Sequence, residues 1–269
     1  MPEKDIQKIG VLLSFHKSDT FLITSALTLC RAFRKDLIII GLDKGDGISN
    51  ESYQIIQREL AVVKDNFPEC RPVYHILKKP GSQLPRILAD DLEVILLVAG
   101  RRRFRELARP LRSSPIPFLF LDEHSERLST FKRVLVPVDM RKQNKDSLLW
   151  SAYFGRHHQS EVIAIGANDK SKDARKSVTA HLLSFKNHLT KTGVVHKIYK
   201  GSKSSLAVQQ EAFETAQELG ADLLILLGSS YVTWLDLMIG LPEEKILKKS
   251  KDLPVLIVNP KRNNYLLCE

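Results

Sequence analysis

Cysteine, methionine and tryptophan are scarce in this chain, with three, three and two residues in 269. Cys30, Cys70 and Cys268 are odd in number, widely spaced and without a Cys-x-x-Cys, so neither a disulfide framework nor a zinc site has the residues it needs. The N-terminus lacks the basic-then-apolar pattern of an export signal, and together with the cysteine usage this makes the expected location cytoplasmic. No apolar run approaches the roughly 20 residues of a membrane span, so membrane insertion is not expected. Catalytic signatures are missing as well: there is no Gly-x-Ser-x-Gly elbow, no Walker loop and no His-Glu-x-x-His. The chain is therefore expected not to be an enzyme.

What is present is an ordinary globular composition, 43% hydrophobic and 27% charged, over a length that suits two domains. The net charge of +10 leaves an anionic partner open, and the excess lies mainly in the second half, about +7 against about +3. Nucleic acid is not expected as a partner, because binding it would require a contiguous basic patch with exposed aromatics. The densest basic run, Arg101 to Arg103 with Phe104 and Arg105, reads as a solvated loop and helix start, with a phosphate-contacting patch as the alternative.

The chain repeats one unit twice. A segment opening at 11–13 (Val-Leu-Leu) and closing at 117–121 (Pro-Phe-Leu-Phe-Leu) is followed by one opening at 134–136 and closing at 254–258 (Pro-Val-Leu-Ile-Val). Between these anchors Ile38 to Gly41 answers Val162 to Gly166, and Val94 to Gly100 answers Leu223 to Gly228. Each apolar run is short, rich in Val, Ile and Leu, and continuous instead of alternating, as in strands buried on both faces of a parallel sheet. The spacing predicts helices over 21–33 and 51–63 and a strand over 73–77 in the first unit. In the second, Asn144 or Asp146 caps a helix with Leu148, Leu149, Ala152 and Tyr153 on one face, ending near Gly155 with His157 and His158 beyond. A further helix covers 173–191, with Val178, Leu182, Phe185 and Leu189 inward. Another starts near Ser204 or Ser205, carries Leu206, Phe213, Ala216 and Leu219, and stops at Gly220. His181 and His188, seven apart without a nearby carboxylate or cysteine, are read as structural. Trp234, Leu235, Met238 and Ile239 are read as a packing face. The expected domains are 1–129 and 130–269. The first is shortened: its Gly81-Ser82 lies 19 residues before the strand-four glycine, where Gly201-Ser202 lies 27 before its own. Because open α/β sheets bind ligands at the carboxyl end of their strands, the first unit has lost the part best suited to hold one.

The second unit resembles a universal stress protein domain. Arg133 to Val138 followed by Asp139 matches that family's first strand, and Gly228-Ser229-Ser230 through Gly240, Glu243, Ile246, Leu247 and 254–258 matches its last strand-loop-helix-strand. The likeness covers about 130–260 and, more faintly, about 9–121, so the whole resembles a tandem member. The resemblance implies an α/β fold of two doubly wound modules, each a five-stranded parallel sheet of order 3-2-1-4-5 with helices on both faces. It also implies packing of the modules as an internal pseudo-dimer, with homodimerisation left open. The functional implication is a stress-response or signalling role through a small ligand or nucleotide in the second domain, with a non-binding scaffold as the alternative. The implied binding positions are Val138, Asp139 and Ala167 for adenine, and Gly228, Ser229, Ser230 and Gly240 for phosphates.

ATP-binding members carry Gly, two residues, Gly, nine residues, then Gly followed by Ser or Thr. Here Tyr231 takes the second glycine position, Gly240 comes one residue early, and Leu241 and Pro242 follow it. A tyrosine ring and a proline without N–H remove phosphate-binding capacity. Poor ATP binding is expected, with the site empty or holding a smaller or less charged ligand. In the first unit the aspartate position is His16 and Gly100 is followed by arginines, so neither half of the site is matched.

Overall fold

The computed structural model describes residues 7–16, 19–43, 45, 47–125, 128–229 and 241–259. The chain divides into two compact units, Met1–Leu128 and Ser129–Glu269. Among the described residues no helix is long and apolar enough to cross a membrane.

The first unit runs β1 (Lys8–Leu12), α1 (Asp19–Phe33), β2 (Asp36–Asp43), α2 (Asn50–Asn66), β3 (Val73–Lys78), α3 (Leu84–Arg86), β4 (Val94–Gly100), α4 (Phe104–Ser113) and β5 (Phe118–Leu121). All pairings are parallel, in the order β3-β2-β1-β4-β5. The central strands β1 and β4 are almost wholly buried, which is why their Val, Ile and Leu run without alternation. The shortened crossover from β3 to β4 has lost its regular helix. It is a 3₁₀ turn (Gly81–Gln83), the single turn α3 and a π turn (Ile87–Asp91).

The second unit runs β6 (Arg133–Val138), α5 (Asn144–His158), β7 (Glu161–Gly166), α6 (Lys172–Lys191), β8 (His196–Lys200), α7 (Val208–Glu218), β9 (Leu223–Leu227), α8 (Pro242–Lys249) and β10 (Val255–Val258). Its order is β8-β7-β6-β9-β10, again all parallel, so each unit has the 3-2-1-4-5 arrangement that the resemblance implies. Trp150, Phe154 and Phe131 are fully buried on one side of this sheet. Burial of side chains of this size is worth about 1.5–3 kcal/mol each.

At the amino edge of the sheet Asp222 acts as a clamp. Its carboxylate accepts the main-chain N–H of Lys132 (3.0 Å) and Arg133 (2.7 Å) and the Thr130 hydroxyl, while its carbonyl accepts the Ser129 hydroxyl (2.7 Å). The residues that lead into β6 are thus tied to the residue that leads into β9.

Three helix limits differ from the sequence reading. Gly155 does not end α5, which continues through His157 and His158 to a left-handed Gln159 (φ 57°). Gly155 is there for close packing: a Cβ on it would come within 2.3 Å of a Val194 methyl carbon. Helix α7 begins at Val208, leaving Leu206 outside it and 94% exposed. Its stop does fall at Gly220, in the left-handed region at φ 60°, although Leu219 is partly exposed. Finally, Gln143 occupies the cap position of α5, because the Asn144 side chain is engaged elsewhere.

Candidate functional site

The carboxyl end of the second sheet gathers the expected residues around Asp139. β6 ends at Val138, whose carbonyl accepts the Ala167 N–H (2.8 Å), so the first two strands leave the sheet side by side. Asp139 is 3% exposed, and a carboxylate that deep needs partners. It finds them locally. Oδ1 accepts the Arg141 N–H (2.8 Å) and the Asn144 amide (3.1 Å), and Oδ2 takes the Arg141 guanidinium through Nε (2.7 Å) and Nη2 (2.6 Å). The same guanidinium donates Nη1 to the Gly228 carbonyl (3.3 Å), so Arg141 spans from the end of strand one to the end of strand four. On the other side, the Asn144 amide donates to the Asp139 carbonyl (2.8 Å), and His181 Nδ1 lies 3.0 Å from that oxygen. Arg141, Asn144 and His181 were not identified as site residues from sequence. Arg141 resembles any surface arginine, and the reach of His181 on α6 to Asp139 follows from tertiary packing alone.

The rim is built from two further loops. Ser205 donates its N–H (3.0 Å) and hydroxyl (2.6 Å) to Asp169, and its Oγ accepts the Met140 N–H (3.0 Å). Met140 and Leu206 stand exposed beside this contact, leaving apolar surface at the mouth. Glu211 closes the neighbouring turn by accepting the Ser202 N–H (2.6 Å), the Ser202 hydroxyl (2.7 Å) and the Lys203 N–H (3.1 Å). Burial pushes the Glu211 carboxyl upward, but these hydrogen bonds outweigh it and hold the group below the ordinary carboxylate range.

At the positions expected for phosphates, the donors are taken up by the protein itself. Gly228 leaves β9 with its N–H on the Val258 carbonyl (2.8 Å), and a Cβ there would sit 3.2 Å from an Ile257 methyl carbon, a tight contact. The next residue, Ser229, has an N–H and a hydroxyl, and Glu243 takes both. Oε1 accepts the N–H and Oε2 accepts the hydroxyl (3.0 Å). Glu243 is 3% exposed and lies in the first turn of α8, where the helix dipole favours negative charge. Pro242, at the first helical position, contributes no N–H. Ser230, Tyr231, Trp234, Leu235, Met238, Ile239 and Gly240 lie outside the described residues.

In the first unit the corresponding places are filled. After β1, Asp19 accepts the N–H groups of Ser14 (3.0 Å) and His16 (3.1 Å), closing the turn. The arginine run is anchored by carboxylates and a carbonyl. Arg101 pairs with Asp122 (2.7 Å), Arg103 pairs with Glu106 (3.0 Å), and Arg103 also donates to the Leu13 carbonyl (2.6 Å). Glu123 folds over Gly100 so closely that a Cβ there would lie 2.9 Å from its carboxyl carbon. A carboxylate thus sits against the strand-four exit in both units, reached from different parts of the sequence.

Over nearly its full length the chain superposes on the crystal structure of a universal stress protein from Archaeoglobus fulgidus DSM 4304, with a TM-score of 0.64 at 12% identity, covering 96% of this chain and 97% of that one. The fold is that of a universal stress protein. A functionally unknown protein from Pseudomonas aeruginosa PAO1 is similar to the same degree, with a TM-score of 0.63 at 12% identity over 98% of this chain and 95% of that chain. No protein-family model and no curated protein matches the sequence. At this identity the universal stress protein likeness resides in the backbone, and the side chains of the site have to be interpreted on their own chemistry.

Proposed function

We propose that this is a cytoplasmic stress-response or signalling protein that binds a small ligand at the carboxyl edge of its second unit, and that it is not an enzyme. The observation that carries this reading is the Arg141 bridge, which joins Asp139 at the end of β6 to Gly228 at the end of β9, with Met140 and Leu206 exposed on the neighbouring loops. Polar groups converging at the strand ends under an apolar rim suit a flat, partly apolar molecule such as a purine nucleoside. Because Glu243 occupies the Ser229 donors, the preferred ligand carries little or no phosphate. Val138, Asp139 and Ala167 are assigned to the base, and Gly228 and Ser229 to the phosphate side, where Glu243 competes for the Ser229 donors. The filled donors also favour a second reading, a scaffold of the same fold that binds no nucleotide.

Calorimetric titration of adenosine, AMP and ATP into the full chain and into Asp139→Ala tests both readings. The binding reading expects measurable affinity falling in the order adenosine, AMP, ATP, and a loss in Asp139→Ala. Tight ATP binding would overturn the assignment of the Ser229 donors, and equal binding by both proteins would remove Asp139 from the site. No heat with any of the three would leave the scaffold reading standing.

A further inference from the structure

Away from both strand-four exits, the first unit brings together two cysteines that are distant in sequence. Cys30 lies on the buried face of α1, and Cys70 lies in the loop between α2 and β3, turned back by its N–H to the Phe67 carbonyl (2.9 Å). Cys30 Sγ donates to the Asp36 carbonyl oxygen at 3.6 Å, and both cysteines, buried at 3% and 8% exposure, line one cavity. Both are free thiols. They share the wall of a half-open cavity of about 370 Å³ whose other walls include Arg31, Arg34, Lys35 and Phe67. Arg31 lies over the Phe67 ring at 4.8 Å and pairs with Glu69 at 2.6 Å, so the loop carrying Cys70 is already fastened to α1. A fixed pair of thiols opening on a cavity large enough for a small molecule is what a two-cysteine oxidation site requires.

We propose that Cys30 and Cys70 form a peroxide-oxidisable dithiol, with Cys70 as the attacking sulfur and Cys30 as the resolving one. The roles follow from their surroundings. Cys30 is inside α1 with its S–H on the Asp36 carbonyl, and burial pushes its thiol well above its ordinary range, whereas Cys70 stands in the loop before β3 with its thiol lowered. The Cys70 thiolate attacks a peroxide oxygen, the O–O bond breaks, and the hydroperoxide ROOH departs as ROH after taking up a proton. Cys70 is then a sulfenic acid, oxidised by two electrons. Cys30 sulfur attacks the Cys70 sulfur, the S–O bond breaks, and hydroxide leaves as water with the Cys30 proton. The balance is two thiols and one ROOH giving one disulfide, one ROH and one water. The new bond would staple the end of α1 to the approach to β3 without involving the ligand site of the second unit.

The test uses the full chain with Cys268→Ser, which leaves only these two thiols. The protein is exposed to stoichiometric hydrogen peroxide, quenched by alkylation and read by intact mass and peptide mapping. The expected result is loss of two hydrogens, a Cys30–Cys70 cross-linked peptide and full reversal by dithiothreitol. With Cys30→Ser added, Cys70 should accumulate as a sulfenic acid trapped by dimedone. With Cys70→Ser added instead, oxidation of Cys30 should slow by about tenfold or more. The unsubstituted chain mapped in the same way keeps the test valid should a variant fail to fold. Both thiols remaining alkylatable after peroxide, or overoxidation of Cys70 without a cross-link, would overturn the proposal. Cys30 proving the faster thiol would overturn the assigned roles.

Discussion

Glu243 holds Ser229 by both its main-chain N–H and its hydroxyl, and on the proposed reading of the site this carboxylate competes with a ligand phosphate for those two donors. Converting it to Glu243→Gln removes a negative charge and weakens that hold. Hydrogen bonds to charged groups are worth about 1.5–3 kcal/mol each, so ATP affinity should rise by about tenfold or more, read by calorimetry against the unsubstituted chain. Unchanged affinity would show that Ser229 does not face the phosphates.

Arg141 and Asp139 should behave as one energetic unit. Removing the guanidinium leaves the Asp139 carboxylate buried with fewer partners, and Arg141→Ala should lower unfolding free energy by about 1–3 kcal/mol. A double-mutant cycle with Asp139→Asn is expected to give a coupling of at least about 1 kcal/mol by denaturant unfolding. Simple additivity would mean that the bridge contributes nothing to stability.

Gly155→Ala has two opposing effects. In a helix interior alanine is favoured by roughly 0.5–1 kcal/mol, but here its methyl would meet Val194 Cγ1 at 2.3 Å. Overpacking of this kind costs about 1–3 kcal/mol, so the clash should win and the thermal midpoint should fall. Adding Val194→Ala should recover part of the loss. A stabilised Gly155→Ala would show that the α5 face yields more readily than its packing implies.

Histidine titration should make the fold sensitive to mild acid. Burial, helped by the Lys132 charge, lowers the His158 pKa from its ordinary 6.5, and burial with Arg156 and Lys191 lowers that of His188. With the folded value depressed, the unfolded chain takes up protons first as pH falls. The contribution is complete well above 6.5 and is lost as pH drops below it toward the folded values. The urea midpoint should therefore fall between pH 7.5 and about 5.5, and His158→Gln should flatten that slope. Glu161 and Glu211, also lowered, stabilise the fold above their ordinary 4.5 and lose that effect only in stronger acid, outside this window. An unchanged slope in the variant would assign the sensitivity to other groups.

The parallel sheet was legible because each central strand is a continuous run of branched apolar residues, as two-sided burial demands, whereas its strand order came from the family resemblance alone. Gly220 was legible as a stop because a left-handed residue after a helix calls for glycine. Gly155 misled for the same reason: a glycine near the end of an apolar face reads as a terminus, and the packing of Val194 against it is not local information. The site was half legible. Asp139 and Gly228 stand out as motif positions at strand ends. Arg141, Asn144 and His181 acquire their roles only when α5 and α6 close over β6, and Glu243, although one of the residues that carry the resemblance, gives no sign in sequence of its hold on Ser229.

The Asp222 clamp decides where the second unit can be cut. Thr130, Lys132 and Arg133 all donate to one carboxylate and Ser129 to the carbonyl of the same residue, so the polar stretch before β6 is part of the domain and not a spacer. A second unit expressed from Arg133 onward would begin with Asp222 stripped of three of its four donors, with only Arg133 left to hold the approach to β9. One begun ahead of Ser129 keeps them.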